Sequence, residues 1–155
     1  MPSTSGLFGF AVIIGIIVLA FAGIKSRTGH PKFNAKPLMT PNELEFLGRL
    51  EAAVPEYRFH AQVAMGALLD PAVSRSDGKE FMRLRGMVSQ KIIDFVAQSR
   101  KDGTIKAIIE LDDRTHDSEK DAKRDAMLAS AGFRTVRWNS KTKPGIAAIR
   151  ARLAP

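Results

Sequence analysis

The spacing of apolar residues changes several times along the chain, and each change marks an element. Residues 7–24 (LFGFAVIIGIIVLAFAGI) are eighteen residues without a charge. At about 1.5 Å per helical residue they just reach across a hydrocarbon core about 30 Å thick. From Thr40 the pattern becomes helical: Thr40-Pro41-Asn42-Glu43 is a capping box with proline at the first helical position. Leu44, Leu47, Leu50 and Val54 follow at helical spacing with Phe46 on the flank, and Pro55 closes the helix. Over residues 57–65 the period falls to two, with Phe59, Ala61 and Val63 alternating with His60, Gln62 and Ala64. Breakers at Asp70-Pro71 and Ser76-Asp77-Gly78 precede a short helix over residues 79–88, which carries Phe81, Leu84 and Val88 on one side.

Two apolar runs, 92–97 and 105–111, flank a polar turn containing Asp102-Gly103 and predict a hairpin. A helix follows from the capping-box pattern at residues 118–121 to Ala131 and stops at Gly132. Residues 134–138 (RTVRW) then read as a further strand of the same sheet, and Pro144 opens a last basic helix ending near Leu153. Helices bracketing and interrupting this run of strands predict an α/β domain, a mixed sheet flanked by helices.

Carboxylates interrupt the hairpin: Asp94 in the first run, then Glu110, Asp112 and Asp113 at the end of the second. Residues two apart in a strand share a face, which puts Glu110 and Asp112 on the same side. An odd loop centred on Asp102, or a bulge, sets Asp94 directly opposite Glu110. A two-residue turn on Asp102-Gly103 would pair Asp94 with Leu111 and split the acids between faces. The first register places like charges opposite each other, which is destabilising unless a hard cation such as Mg²⁺ or Mn²⁺ lies between the carboxylates. The plainer reading for Asp112 and Asp113 is a solvated strand end. Asp94, central in an apolar strand, calls for a partner. Glu43 likewise has two readings, a capping-box residue or a carboxylate leaning toward the cation.

Charge adds a class of partner. The net charge is +8 over 155 residues, which suits nucleic acid or an anionic membrane surface; the plainer alternative is solubility and topology. Arg75, Lys79, Arg83, Arg85 and Lys91 give the 79–88 helix a basic face, either solvated or phosphate-contacting. The absence of cysteine excludes disulfides and thiolate metal sites, and three dispersed histidines argue against structural zinc. Residues 1–6 carry no charged side chain, whereas Lys25, Arg27, Lys32 and Lys36 follow the apolar run. The positive-inside rule therefore puts the N-terminus outside and the rest on the cytoplasmic face, as in a bacterial inner membrane. A cleaved signal peptide ending near Ala20-Phe21-Ala22 is the rival, though the basic residues then lie on the wrong side. The expected organisation is a short outer segment (1–6), a transmembrane helix (7–24, Leu7 to Ile24), a basic linker (25–38) and the α/β domain (39–155).

Taken together, IIDFVAQ, IIELDDRTH and DAKRDAMLASAGFRTVRW resemble a domain family of unknown function within the restriction-endonuclease-like PD-(D/E)XK superfamily. They are also similar to its very-short-patch-repair branch. The resemblance spans residues 38–138 and implies the restriction-endonuclease-like fold. Asp94 matches the motif's first aspartate, Glu110 its acidic residue on the next strand, and Asp112 the position often held by lysine. Glu43, Gln62, His116 and Asp125 match accessory positions. The activity implied is Mg²⁺- or Mn²⁺-dependent phosphodiester hydrolysis, with Asp94 and Glu110 holding the metal. Asp112 would be a further ligand or water-orienting group, and His116 a proton shuttle or a helix cap. Arg83, Arg85, Lys91, Arg124, Arg134 and Arg137 are the candidate nucleic-acid contacts, and restriction-type cleavage leaves room for a homodimer. The acid at position 112 departs from the motif. It motivates an alternative, a catalytically inactive module that tethers nucleic acid or another partner to the membrane; a basic scaffold lying on anionic lipid is a third reading.

Overall fold

The structure is a computed structural model that describes residues 32–112 and 118–154, with the side chain of Ser118 left aside. The apolar run 7–24, linker residues 25–31, Asp113 and His116 lie outside the described residues. Among the described residues no helix is long and apolar enough to cross a membrane. The described residues from Pro37 onward form one compact unit.

Within this unit the order is α1 (Pro41–Ala53), β1 (Tyr57–Ala64), a 3-10 turn (Met65–Ala67), α2 (Gly78–Val88), β2 (Ile92–Ser99), β3 (Ile105–Asp112), α3 (Ser118–Ser130), β4 (Thr135–Asn139) and α4 (Ile146–Leu153). The strands lie in the order β1-β2-β3-β4. The first two pairings are antiparallel and β3–β4 is parallel. The expected mixed sheet flanked by helices is therefore what the chain forms.

The helix starts and stops have local causes. Thr40 Oγ1 accepts the Glu43 N–H at 3.2 Å, and Glu43 Oε2 accepts the Thr40 N–H at 2.6 Å, closing the capping box. Helix α3 ends where Gly132 adopts φ +80°, a conformation that glycine tolerates without steric penalty. Helix α4 begins at Ile146 with Gly145 as its cap, two residues later than Pro144 suggests.

Helices α1 and α4 cover one face of the sheet, packing Phe46, Leu50, Ile149 and Leu153 on Phe95, Ile109, Val136 and Trp138. On the other face Val88 of α2, Leu128 of α3 and Met65 meet Ile93, Val96 and Ile108. The leucine stripe expected on α1 faces the core over most of its length, with Leu50 and Val54 buried and Leu47 packed against them, but its first member does not. Leu44 is 59% exposed, whereas Phe46, Leu50 and Ala53 are buried. The reason is aromatic packing: the Phe46 ring lies edge-on to Phe95 at 6.1 Å and to Trp138 at 5.5 Å, joining β2 to β4. Accordingly, Phe46→Ala is expected to destabilise the domain by about 3–5 kcal/mol. Leu44→Ala should stay within about 0.5 kcal/mol. Urea unfolding curves of the two variants would check this, and equal losses would overturn the assignment of Phe46 rather than Leu44 to the core.

Candidate functional site

The hairpin turn determines which carboxylates meet. Asp102 Oδ1 accepts from the Thr104 N–H and hydroxyl at 3.0 and 2.7 Å, and Gly103 sits at φ +74°. Ser99 N donates to Thr104 O at 2.8 Å, closing an even loop over residues 100–103. That loop alone would misalign the acids. A bulge between Ala97 and Gln98 shifts the pairing by one, so that Ala97, Val96 and Phe95 face Ala107, Ile108 and Ile109. Carried one residue further, this register sets Asp94 opposite Glu110, as the bulge alternative in the sequence requires.

Around Asp94 the sheet loses its regular ladder on both sides. Toward β3, the Leu111 N–H is taken by Asp94 Oδ2 at 2.8 Å, a side-chain bond where the β2–β3 backbone pairs have ended. Toward β1, the pairing passes from Ala61–Phe95 to Val63–Ile93 and skips Gln62, whose φ is +54°. A left-handed residue other than glycine or asparagine inside a strand is costly, and such strain gathers at functional sites. The Gln62 side chain donates through Nε2 to Glu43 Oε1 at 3.1 Å, while Glu43 Oε2 completes the helix cap. Both readings of Glu43 therefore hold, one for each oxygen.

Glu110 is the buried member of the pair, 2% exposed. By strand alternation it lies on the face of Ile108, under α3. Arg124 of α3 brings Nη1 to 3.7 Å from Glu110 Oε1, a charge contact beyond hydrogen-bond length. Glu110 Oε1 and Arg124 Nε are both buried without a hydrogen-bond partner among the described residues. Arg124 is instead held by Asp121, with Nη2 to Oδ1 at 2.9 Å. Beside it Arg137, paired in register with Glu110, clasps Asp112 at 2.7 Å and Asp125 at 2.8 and 3.1 Å. The Asp125 bonds, ahead of those from Asp112, raise the guanidinium pKa further above its already high value.

The protonation of the pair follows from burial. Desolvation, and then the charge of Asp94, push the Glu110 carboxyl up to about 8 against the pull of Arg124 and Arg137. Asp94 is also raised, chiefly by desolvation and further by Glu43, while the Leu111 N–H acts in the opposite direction.

The candidate residues thus fall into separate groups. Asp94, Glu110, Glu43 and Gln62 form one chain of contacts, and Asp112, Asp125, Arg124 and Arg137 lie along α3 and the ends of β3 and β4. On α2, Arg83 pairs with Glu80 at 2.7 Å and Arg85 is exposed. Lys91 is partly buried at the entry to β2. Arg134 reaches away to α4, donating to Arg152 O at 2.6 Å. The Leu111 N–H and Asp121 belong to the site although the sequence did not single them out. Asp121 bore a signal, lying one helical turn before Arg124 and Asp125; a backbone donor bears none.

Among the described residues no three His, Asp or Glu side chains gather as a metal cluster. Two opposed carboxylates nevertheless suit Mg²⁺, which is ordinarily held by one or two carboxylates with waters or substrate phosphate completing its shell. The unsatisfied, buried Glu110 oxygen is the observation that fits such an ion.

Fold and site define a mixed α/β domain with an opposed acidic pair at an interruption of its sheet. The sequence profile of a family described as "Protein of unknown function (DUF2726)" matches residues 35–155, and the chain belongs to that family. Comparisons with curated proteins and with solved structures each returned no match.

The shifted acids make stability depend on pH. A carboxyl whose folded pKa exceeds its unfolded value stabilises the protein fully below the unfolded pKa of about 4.3. That contribution is lost as pH rises through the folded value, here about 8. Thermal scans in chelator should show the melting temperature falling over that range. Glu110→Gln is expected to melt on the order of 5 °C above the parent at pH 9, with the gap closing at pH 4. A variant that melts lower at pH 9 would contradict the burial argument.

Proposed function

We propose that the domain is a metal-dependent nuclease of the restriction-endonuclease-like PD-(D/E)XK type, held at the cytoplasmic face of a membrane by residues 7–24. The observation that carries this reading is the buried Glu110 carboxyl, with an unsatisfied oxygen, in register with Asp94. Natural sheets avoid opposing two acids in an apolar setting, and a divalent cation removes the conflict. Asp94 and Glu110 would hold Mg²⁺ or Mn²⁺, which supplies a Lewis acid that offsets charge on a phosphate oxygen and eases attack by water.

The protein's own residues then have separate tasks. The Leu111 N–H orients Asp94, Gln62 and the α1 cap orient Glu43, and the Arg137 clasp orients Asp112. In the hydrolysis a water oxygen bonds to phosphorus, one phosphodiester P–O bond breaks, and the departing oxygen gains a proton. The net charge of +8 supports an anionic polymer as substrate. The alternative, a binding module of the same fold tethered to the membrane, is supported by Asp112: it stands where a lysine often serves and is tied to Arg137.

Asp94→Asn and Glu110→Gln should each lower Mg²⁺- or Mn²⁺-dependent cleavage of DNA or RNA by more than about a hundredfold, with a folded far-UV spectrum. Salt-sensitive nucleic-acid binding that survives both substitutions, without cleavage by the parent, would establish the binding module instead. For the anchor, the full chain is expected to stay with membranes through alkaline carbonate washing, and a chain starting at Lys36 to be released. Release of both would remove the membrane from the proposal.

A further inference from the structure

Arg124 stands in an arrangement that hydrogen bonding among the described residues does not account for. Its side chain is 18% exposed, and a buried guanidinium normally engages its donors. Here Nη2 is satisfied by Asp121, Nη1 stops 3.7 Å short of Glu110 Oε1, and Nε has no acceptor. The facing carboxylate oxygen lacks a donor as well. An arginine placed to form a buried salt bridge would close that gap, because charge-assisted bonds run at about 2.7–2.9 Å. The gap leaves donor and acceptor each free for something else.

Resting on the reading of Asp94 and Glu110 as a cation site, we propose that Arg124 is a place-holding cation. In the ion-free protein its positive charge stands in for the metal beside the acidic pair. Once the ion is bound, the guanidinium turns its unused donors to a substrate phosphate oxygen. Two features support this assignment. The strand position that would carry a positive side chain is occupied by Asp112, already clasped by Arg137. Arg137 itself is spent on Asp112 and Asp125. Arg124, with Nε unpartnered and Nη1 beyond hydrogen-bond length of Glu110, is the cation beside Glu110 that can receive a phosphate.

A cation that substitutes for the metal must also oppose its entry, since like charges a few ångströms apart repel. This consequence separates a place-holder from a structural arginine. Mn²⁺ binding to the full-length chain would be measured by calorimetry at pH 9, beside Arg124→Gln and the charge-keeping Arg124→Lys, each checked for folding by circular dichroism. Arg124→Gln is expected to tighten Mn²⁺ binding roughly 3- to 10-fold and, at saturating Mn²⁺ with cleavage stopped by low temperature, to weaken binding of a short duplex DNA. Arg124→Lys should stay near the parent in both. Unchanged or weaker Mn²⁺ binding by a folded Arg124→Gln, or unchanged DNA binding, would overturn the role of Arg124 and leave the carboxylate site standing. No Mn²⁺ binding by the parent would overturn the cation site itself, and the place-holder with it.

Discussion

A carboxyl group in the interior of a sheet is among the more expensive things a small domain can contain, and much of this domain is arranged around one. Glu110 lies between Ile109 and Leu111 on β3, beneath a helix, and another acid occupies the facing register position. Relief comes in parts: a carboxyl pKa on Glu110 pushed up to about 8 by burial, a backbone N–H for Asp94, and the charges of Arg124 and Arg137 from one side. None of these closes the hydrogen-bond account, because one oxygen of Glu110 still has no donor among the described residues. Retaining an unpaired polar atom there runs against stability, and a binding role explains the retention better than a structural one.

The surrounding irregularities follow from the same demand. A regular ladder would bring neighbouring backbone against Asp94 on both sides and leave a ligand little approach. The bulge at Ala97 and Gln98 aligns the acids, the left-handed Gln62 withdraws β1 locally, and Leu111 gives its N–H to a side chain rather than to β2. Each departs from ideal pairing, and together they open the sheet at one residue. Two apolar layers offset this loss: Phe46, Phe95 and Trp138 tie α1, β2 and β4 together on one face, and Leu128, Ile108 and Val96 join α3 to the sheet on the other.

The fold was legible where local chemistry decides it. The Thr40–Glu43 cap, the stop at Gly132 and the hairpin around Asp102-Gly103 carry their causes within a few residues. On α1 the stripe through Leu47, Leu50 and Val54 was legible, but the exposure of Leu44 and the burial of the flanking Phe46 were not, since both positions fit helical spacing. The choice was made by rings on β2 and β4, remote in sequence. For the site, Asp94 and Glu110 could be paired on paper because side-chain period and turn length constrain a hairpin strongly. Gln62's backbone and the 3.7 Å approach of Arg124 depend on how separate elements dock, and no local pattern encodes them.

The acid at position 112 looks at first like a defect in a catalytic motif. Its surroundings suggest a reassignment of charge. With Asp112 bound to Arg137, and Arg137 bound in turn to Asp125, β3, β4 and α3 are joined by a compact network in which positive and negative groups alternate. Such a network holds the N-terminal half of α3 against the sheet, and that half carries Arg124 to Glu110. A lysine at position 112 would place a positive charge at the strand end but would leave Arg137 without one of its two hydrogen-bonded carboxylates and α3 less firmly attached. The cation beside the buried carboxylate is thus carried by the helix, not by the strand. Helix attachment and the local charge balance then depend on the same few side chains, so substitutions among Asp112, Asp121, Arg124, Asp125 and Arg137 are expected to be strongly non-additive.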